Sequence, residues 1–240
     1  YDEHPVLWDV DMEVPSGVLM AIVGPNGAGK STLIKAILDL VKPAAGRVLV
    51  HGRRYAEDRS VVAYVPQRGS VDWNFPTSVL DVVMMGRYPH REATPGEDEA
   101  AVAAAMEGAD ITLLADRLFP TLSGGEQARV AFARVLAQET GIVLLDEPSA
   151  SLDIRHQELV MSVLGGMREG GAAVAAVLHD LNLAARHADR VAVMAAGRVV
   201  EVGPTREVLR GDLLSEVYQH PVTVIPHPEM DCPLVLPLRS

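Results

Sequence analysis

The residues most clearly arranged for chemistry form a glycine-rich segment near the start of the chain. Positions 24–31 read Gly24-Pro25-Asn26-Gly27-Ala28-Gly29-Lys30-Ser31, which matches the pattern G-x-x-x-x-G-K-[ST] in full. An apolar run at 18–23 precedes the segment, and a helical pattern follows it. Glycines let several backbone N–H groups turn inward around phosphate oxygens, and the helix N-terminus adds its positive dipole end. The segment therefore predicts a nucleotide phosphate site rather than a structural glycine turn.

The side chains at the end of this segment have separate predicted roles. Lys30 would reach the β- and γ-phosphates, and the Ser31 hydroxyl would ligate Mg²⁺. Thr32 follows directly and is counted with the phosphate-binding residues. A nucleoside triphosphate with Mg²⁺ is therefore the expected ligand.

An apolar strand that ends in two carboxylates supplies the second chemical element. Positions 142–147 read IVLLDE, so that Asp146 and Glu147 follow directly on the apolar run. Asp146 would hold the Mg²⁺ shell, and Glu147 would act as general base or orient the attacking water. Alone, such a strand end is equally typical of a helix cap or a solvated loop. Together with a phosphate loop, it predicts hydrolysis of the nucleotide.

These residues need a scaffold that brings strand ends together, and the apolar pattern predicts one. Apolar runs bounded by turn residues predict strands at 18–23, 47–50, 61–65, 142–146, 173–178 and 190–195. Helical patterns run from 31 to 40 and begin again near 154 and 181. Such alternation implies right-handed crossovers and a buried sheet with a parallel core, which is an α/β fold.

The composition changes between the phosphate loop and the acidic strand. Four apolar residues there have helical spacing, namely Val79, Val82, Val83 and Met85. Pro95-Gly96 then breaks the chain before an alanine-rich run at 97–109. We therefore predict a helical subdomain at 68–128, inserted between two parts of one core at 1–67 and 129–240.

The overall composition excludes several classes of protein. The formal net charge of −11 argues against nucleic acid as the main partner. Cys232 is the only cysteine, so no intrachain disulfide can form, which fits a reducing cytosol. The sequence begins without a secretory signal pattern, and its apolar runs are far shorter than the ~20 residues that span a bilayer. If the protein acts at a membrane, we expect it to dock there.

A short motif before the acidic strand points to a family. Positions 122–127 read LSGGEQ, which resembles the signature sequence of the ATPases of ABC (ATP-binding cassette) transporters. Other elements resemble that family in the same order. They are Gln67 as the Q-loop glutamine, Ser149 to Asp153 as the D-loop, His179 as the switch histidine, and Tyr1 as the aromatic residue that stacks on adenine.

This resemblance implies a fold and a set of ligands. The fold would be a P-loop NTPase (RecA-like) core with a largely parallel sheet, an antiparallel β edge and the inserted helical subdomain. ATP and Mg²⁺ would be the ligands, with Gln67 joining Ser31 and Asp146 at the metal. Glu147, His179 and Gln67 would be the catalytic residues. Asp153 and Tyr1 would contact the nucleotide.

The signature motif implies an assembly. Ser123, Gly124 and Gly125 stand at a helix start, which is an anion-binding position. In this family they cap the γ-phosphate held by the other chain, and Glu126 belongs to the same motif. A head-to-tail homodimer would therefore form around ATP. It would lie peripherally on the cytoplasmic face of the membrane, with a multi-span permease as direct partner and an extracytoplasmic solute-binding protein as indirect partner.

Two regions of the sequence predict different transported cargoes. The segment at 65–88, which includes Trp73, Asn74, Phe75 and Met85, resembles the ATPases of bacterial manganese, zinc and iron importers. The segment at 178–185 and the tail from 224 resemble those of haem, iron-siderophore and cobalamin importers instead. Because the first segment would contact the permease, it favours a metal ion, and haem or another chelate is the alternative.

Three further interpretations were weighed. The tail contains His220, His227, Asp231 and Cys232, but their spacing matches no compact zinc pattern and favours ordinary surface residues. A soluble ABC ATPase of DNA repair or the ribosome usually has coiled-coil insertions or two cassettes, which this sequence lacks. An exporter motor is often fused to its membrane spans, so a separate cassette favours import.

Overall fold

The computed structural model describes residues 5–67, 76–90, 92–148 and 152–239. Within these residues the strands are β1 (Leu19–Val23), β2 (Val62–Val65), β3 (Ile142–Asp146), β4 (Ala173–Val177), β5 (Arg190–Ala195), β6 (Arg198–Pro204), β7 (Val222–Pro226) and β8 (Pro233–Pro237). The α-helices are α1 (Lys30–Ile37), α2 (Val79–Met84), α3 (Pro95–Gly108), α4 (Gly124–Ala137), α5 (Ile154–Glu169), α6 (Leu181–His187), α7 (Thr205–Val208) and α8 (Gly211–Tyr218). Short 3₁₀ helices cover Tyr55–Glu57, Arg59–Val61, Met85–Arg87, Thr112–Leu114 and Phe119–Thr121.

The first of two compact units combines Tyr1–Arg59 with Ala173–Ser240. In it β1 pairs in parallel with β4 on one side and with β5 on the other, and β5 pairs antiparallel with β6. β1 and β4 are apolar and buried along their whole length, as parallel strands covered on both faces must be. Since α1 follows β1 and α6 follows β4, the phosphate loop and His179 lie at the same edge of this sheet.

The second compact unit comprises Ser60–Ala172. Its strands β2 and β3 pair in parallel, and its helices α2, α3 and α4 pack on one another. The apolar stripe on α2 is buried, as the helical spacing predicted. Ser78 begins α2 and Thr94 begins α3, each as half of a reciprocal capping box, so both starts are fixed by local sequence.

The α/β fold class with a largely parallel sheet and antiparallel strands is confirmed. The compact units meet in the chain at Arg59/Ser60 and Ala172/Ala173, so the second unit contains β2 and β3 as well as the predicted helical insertion. The subdomain limits at 68 and 128 stay predictions.

Several local predictions were wrong or incomplete. The strand at 47–50 does not form, because a turn with positive φ at His51 and Gly52 leaves a single bridge between Val50 and Arg53. Pro95 does not break the helix after it but begins it, since a proline needs no hydrogen-bond acceptor in the first turn. No strand was predicted at the positions of β6, β7 and β8, although the resemblance implied an antiparallel β edge.

Candidate nucleotide site

The phosphate loop connects the buried strand β1 to the helix α1. Gly24 has φ 149°, and a Cβ added there would lie 2.1 Å from the carbonyl oxygen of Met194. Gly29 forms the N-cap of α1 in the left-handed region, with φ 98°. Side chains at these two positions would clash or strain the backbone, so the loop can fold this way only with glycine. Asn26 and Gly27 form its exposed tip.

The cation of the loop is buried. Lys30 is only 6% exposed, and its ammonium donates hydrogen bonds to the carbonyl oxygens of Gly24 at 2.7 Å and Pro25 at 2.9 Å. Ser31 and Thr32 follow half-buried in the first turn of α1. A buried ammonium at the start of a helix, beside a glycine loop, is the donor set that a polyphosphate requires. These residues therefore fit the phosphates of a nucleotide.

The acidic strand end lies in the second unit and has an unusual backbone. Asp146 is the last residue of β3 and is 1% exposed. Its charge raises the pKa of Tyr64 on the neighbouring strand to about 12, although burial of that phenol is the larger cause. Glu147 follows with φ +57°, in the left-handed region that a residue with a side chain rarely adopts. Such strain is typical of functional positions.

The predicted Q-loop glutamine contacts this strained residue. The Gln67 amide donates a hydrogen bond of 2.9 Å to a carboxylate oxygen of Glu147. Gln67 follows β2 and Glu147 follows β3, and these strands are parallel neighbours. The structure therefore brings together two of the three predicted catalytic residues within one unit.

The signature residues form the N-terminus of α4. Ser123 is the exposed N-cap, and its backbone N–H donates to the Glu126 carboxylate at 2.7 Å while its hydroxyl accepts from the Glu126 N–H at 3.4 Å. Hydrogen bonds to this carboxylate from the side chain and the backbone of Ser123 lower the pKa of Glu126. Gly124 and Gly125 form the first turn without side chains. Glu126 is thus a capping residue, and the small residues leave the helix N-terminus accessible.

The remaining predicted residues stand at element ends. His179 is exposed beyond β4, close to the start of α6. Asp153 caps α5 by accepting a hydrogen bond of 2.9 Å from the backbone of His156. Three predicted features lie outside the described residues: Tyr1, the D-loop positions 149–151, and the segment 68–75 with Trp73, Asn74 and Phe75.

The four metal candidates of the tail are engaged locally. Asp231 pairs with Arg206 at 2.5 Å, and the His220 ring contacts the carbonyl of Leu238 at 2.9 Å. His227 accepts hydrogen bonds from two backbone N–H groups of its own turn. Cys232 is half-buried. Over 5–67, 76–90, 92–148 and 152–239, no cluster of three or more His, Cys, Asp or Glu side chains could hold a metal ion.

Sequence reasoning missed two side chains that contact elements of the site. The phenol of Tyr218 on α8 interacts with the backbone of Gly24, and burial raises the pKa of this phenol to about 12. Asn182 on α6 binds the backbone of β8. Both partners are distant in sequence, so no local pattern could have found them.

Comparison with known proteins identifies the family. Residues 7–150 match the ABC transporter family. The chain is 51% identical to the hemin import ATP-binding protein HmuV of Nocardia farcinica, over 98% of this chain and 83% of that protein. It is 42% identical to the manganese transport system ATP-binding protein MntB of Bacillus subtilis, over 91% of this chain and 88% of that protein. A dimeric structure of the bacterial ABC transporter cassette MJ0796 superposes with a TM-score of 0.75 at 30% identity. The superposition covers 84% of this chain and 91% of that chain.

The chain therefore belongs to the ABC transporter family. Within that family it is an ATP-binding, ATP-hydrolysing subunit, as its phosphate loop and acidic strand predicted. Among the described helices, none combines the length and apolar character needed to cross a bilayer.

Proposed function

We propose that this chain is the motor subunit of a bacterial ABC importer, which couples ATP hydrolysis to uptake through a separate permease. The observation that carries this proposal is the hydrogen bond between Gln67 and Glu147, two residues that follow parallel strands beside the buried Asp146. It places a glutamine on the carboxylate that we propose as general base. The relative HmuV, by name a hemin import ATP-binding protein, supports the direction of transport.

We assign Mg-ATP binding to the residues that the sequence predicted for it. The backbone of 24–29 and the Lys30 ammonium would hold the phosphates, together with Ser31 and Thr32. Ser31, Gln67 and Asp146 are the proposed Mg²⁺ ligands, and oxygen donors of this kind suit Mg²⁺. The metal would neutralise charge on the phosphates. Tyr1 stays the proposed adenine-stacking residue.

Hydrolysis needs a water molecule activated at the γ-phosphorus. We assign proton abstraction to Glu147, so that the water oxygen bonds to phosphorus while the bond from the γ-phosphorus to the β–γ bridging oxygen breaks. The products are ADP and inorganic phosphate. His179, exposed beyond β4, would contact the γ-phosphate and sense its loss.

A head-to-tail homodimer would complete each site. Ser123 is exposed at the N-terminus of α4, and Gly124 and Gly125 add no side chain to cover the backbone donors of its first turn. These donors suit the γ-phosphate of ATP held by a second copy. Asp153, at the start of α5, would contact the partner's nucleotide. The dimeric MJ0796 cassette is a solved assembly of a related chain.

A groove in the second unit suits the permease. A cavity of about 870 Å³ has Arg87 and alanines of α3 in its wall, with Glu92, Glu97 and Glu139 also lining it. Since Arg87 is already paired with Asp98 and Glu139, Glu92 and Glu97 give the described part of the lining an acidic excess. It would accept a permease helix with small and basic side chains. Met85 lies in the same 3₁₀ helix as Arg87, and both belong to the predicted contact segment at 65–88.

Haem is the proposed cargo. The segment at 65–88 predicted a metal ion as the cargo. However, the chain is 51% identical to the hemin-import relative and 42% identical to the manganese-transport relative. The difference in identity favours haem. Manganese or zinc remains the second candidate, since 42% identity extends over 91% of this chain.

Uptake by a reconstituted complex tests the proposal. The chain should be coexpressed with the permease that copurifies with it, and uptake of haem, Mn²⁺ and Zn²⁺ into vesicles should be measured with and without ATP. We expect ATP-dependent uptake of haem alone. Glu147→Gln is the matched control, because it should assemble with the permease yet give no uptake. Uptake of Mn²⁺ or Zn²⁺ without haem would select the second candidate, and failure to copurify with any multi-span protein would contradict the importer role.

A further inference from the structure

The C-terminal hairpin formed by β7 and β8 is tied to the element that carries His179. The Asn182 side chain donates a hydrogen bond of 3.1 Å to the carbonyl of Val235 and accepts one of 2.8 Å from its N–H. Val235 is the central residue of β8 and is 5% exposed. The carboxamide therefore pairs with both backbone groups of one residue of the hairpin, as a neighbouring strand would.

We call the two hydrogen bonds between Asn182 and Val235 the clamp. Asn182 lies three residues after His179 in the chain. The Asp180 carboxylate caps α6 by accepting hydrogen bonds from Asn182 at 2.8 Å and Leu183 at 3.1 Å. The Leu178 N–H donates to Ile22 of β1 at 3.1 Å, which fixes the residue before His179. His179 thus stands between a strand end and a capped helix start. Its position depends on where that helix start is held.

The same C-terminal element also contacts the phosphate loop. The phenol of Tyr218, the last residue of α8, interacts with the backbone of Gly24. α8 is joined to the hairpin through Ser215, whose hydroxyl accepts from the Val222 N–H at 2.9 Å and donates to the Gly211 carbonyl at 2.5 Å. α8 and the hairpin therefore form one packed element with contacts to both the loop and the start of α6.

We propose that the C-terminal hairpin is a positioning element for ATP hydrolysis and that Asn182 is its positioning residue, holding His179 at the edge of β4. This inference rests on the proposed role of His179 at the γ-phosphate. Asn182 itself contacts the hairpin backbone, so its effect on catalysis is transmitted through the start of α6. Loss of the clamp should impair turnover more than nucleotide binding, because the phosphate loop keeps its own contacts.

The test compares two variants of the full chain that each loosen the hairpin. Asn182→Ala removes the clamp at α6, whereas Ser215→Ala removes the hydrogen bonds that join α8 to β7. We expect Asn182→Ala to lower kcat for ATP hydrolysis about fivefold, the scale of one or two hydrogen bonds, with the Kd for ATP within about twofold of the parent. Ser215→Ala should lower Tm comparably but keep kcat within about twofold. Equal loss of kcat in both variants, or unchanged kcat in Asn182→Ala, would overturn the proposal.

A second comparison separates this inference from the function it rests on. In a His179→Ala background, adding Asn182→Ala should change the residual rate less than about twofold, because the group being positioned is gone. A further fivefold loss would show that Asn182 does not act through His179. If His179→Ala itself hydrolyses ATP normally, the proposed role of His179 is wrong, whatever Asn182 does.

Discussion

At the scale of single residues, the strained carboxylate at the end of β3 is the most informative feature. Glu147 has a left-handed backbone and accepts a hydrogen bond from Gln67. Positive φ at a glutamate costs conformational energy, so the fold must hold it there through the surrounding structure. Strain of this kind is typical of functional positions rather than of core positions.

Glu147→Gln should separate nucleotide binding from turnover. The amide keeps the size of the side chain and an oxygen that can accept from Gln67, but it cannot take the proton of the attacking water. We expect the rate of phosphate release to fall by about 100-fold or more, while the Kd for ATP changes less than about threefold. Phosphate release and isothermal calorimetry measure the two quantities. Normal turnover in this variant would mean that another group activates the water.

At the scale of elements, one buried arginine joins three parts of the second unit. Arg87 is 6% exposed and donates to Asp98 of α3 at 2.7 Å, to the carbonyl of Ala137 at 2.8 Å and to Glu139 at 2.7 Å. Ala137 ends α4, the helix that begins at the signature residues. The guanidinium therefore fixes the C-terminal end of the signature helix against α3.

Arg87→Met should destabilise the protein measurably. It leaves a carbonyl and two partly solvated carboxylates without their donor, which costs about 2 kcal/mol and lowers Tm by about 4–8 °C. Arg155→Met is the matched control, because Arg155 is 76% exposed and its pair with Asp110 belongs to the surface. That change should cost less than about 1 kcal/mol. Differential scanning calorimetry would measure the Tm of both variants. Equal decreases in Tm would show that the buried Arg87 network stabilises the protein no more than the surface pair does.

At the scale of the whole molecule, the signature helix is the feature that points beyond one chain. Its N-terminus presents the backbone N–H donors of the first turn. The exposed N-cap residue, Ser123, forms a capping box with Glu126. An accessible helix start of this composition suits an anion. In the proposed dimer that anion is the γ-phosphate bound by the other copy.

Ser123→Arg tests this assembly. The Kd for ATP should stay within about threefold of the parent's, because the affected site belongs to the partner's nucleotide. The rate of ATP hydrolysis should fall at least about tenfold, because the arginine side chain would obstruct the γ-phosphate. Leu113→Arg provides the control, since Leu113 is 97% exposed in the same unit. ATP hydrolysis should be followed over a range of protein concentrations. Hydrolysis by Ser123→Arg at the parent's rate, with no dependence on concentration, would rule out head-to-tail sharing.

The sequence by itself determined the features that depend on neighbouring residues. The phosphate loop is a strand, a turn and a helix start in direct succession, so its glycines and Lys30 could be read from a single pattern. The same holds for the apolar run that ends at Asp146, and for Ser123 with Glu126, because a capping box spans one helical turn. These elements can be recognised because their residues are neighbours in the sequence.

Only the tertiary structure decided which distant groups meet. The contacts of Gln67 with Glu147, of Tyr218 with Gly24 and of Asn182 with Val235 each join segments from different elements. The pairing of β7 with β8 likewise joins two segments through contacts that depend on the packed structure. Hydrogen bonds of this kind are selected by burial and by the register of neighbouring strands, which no local pattern of residues encodes.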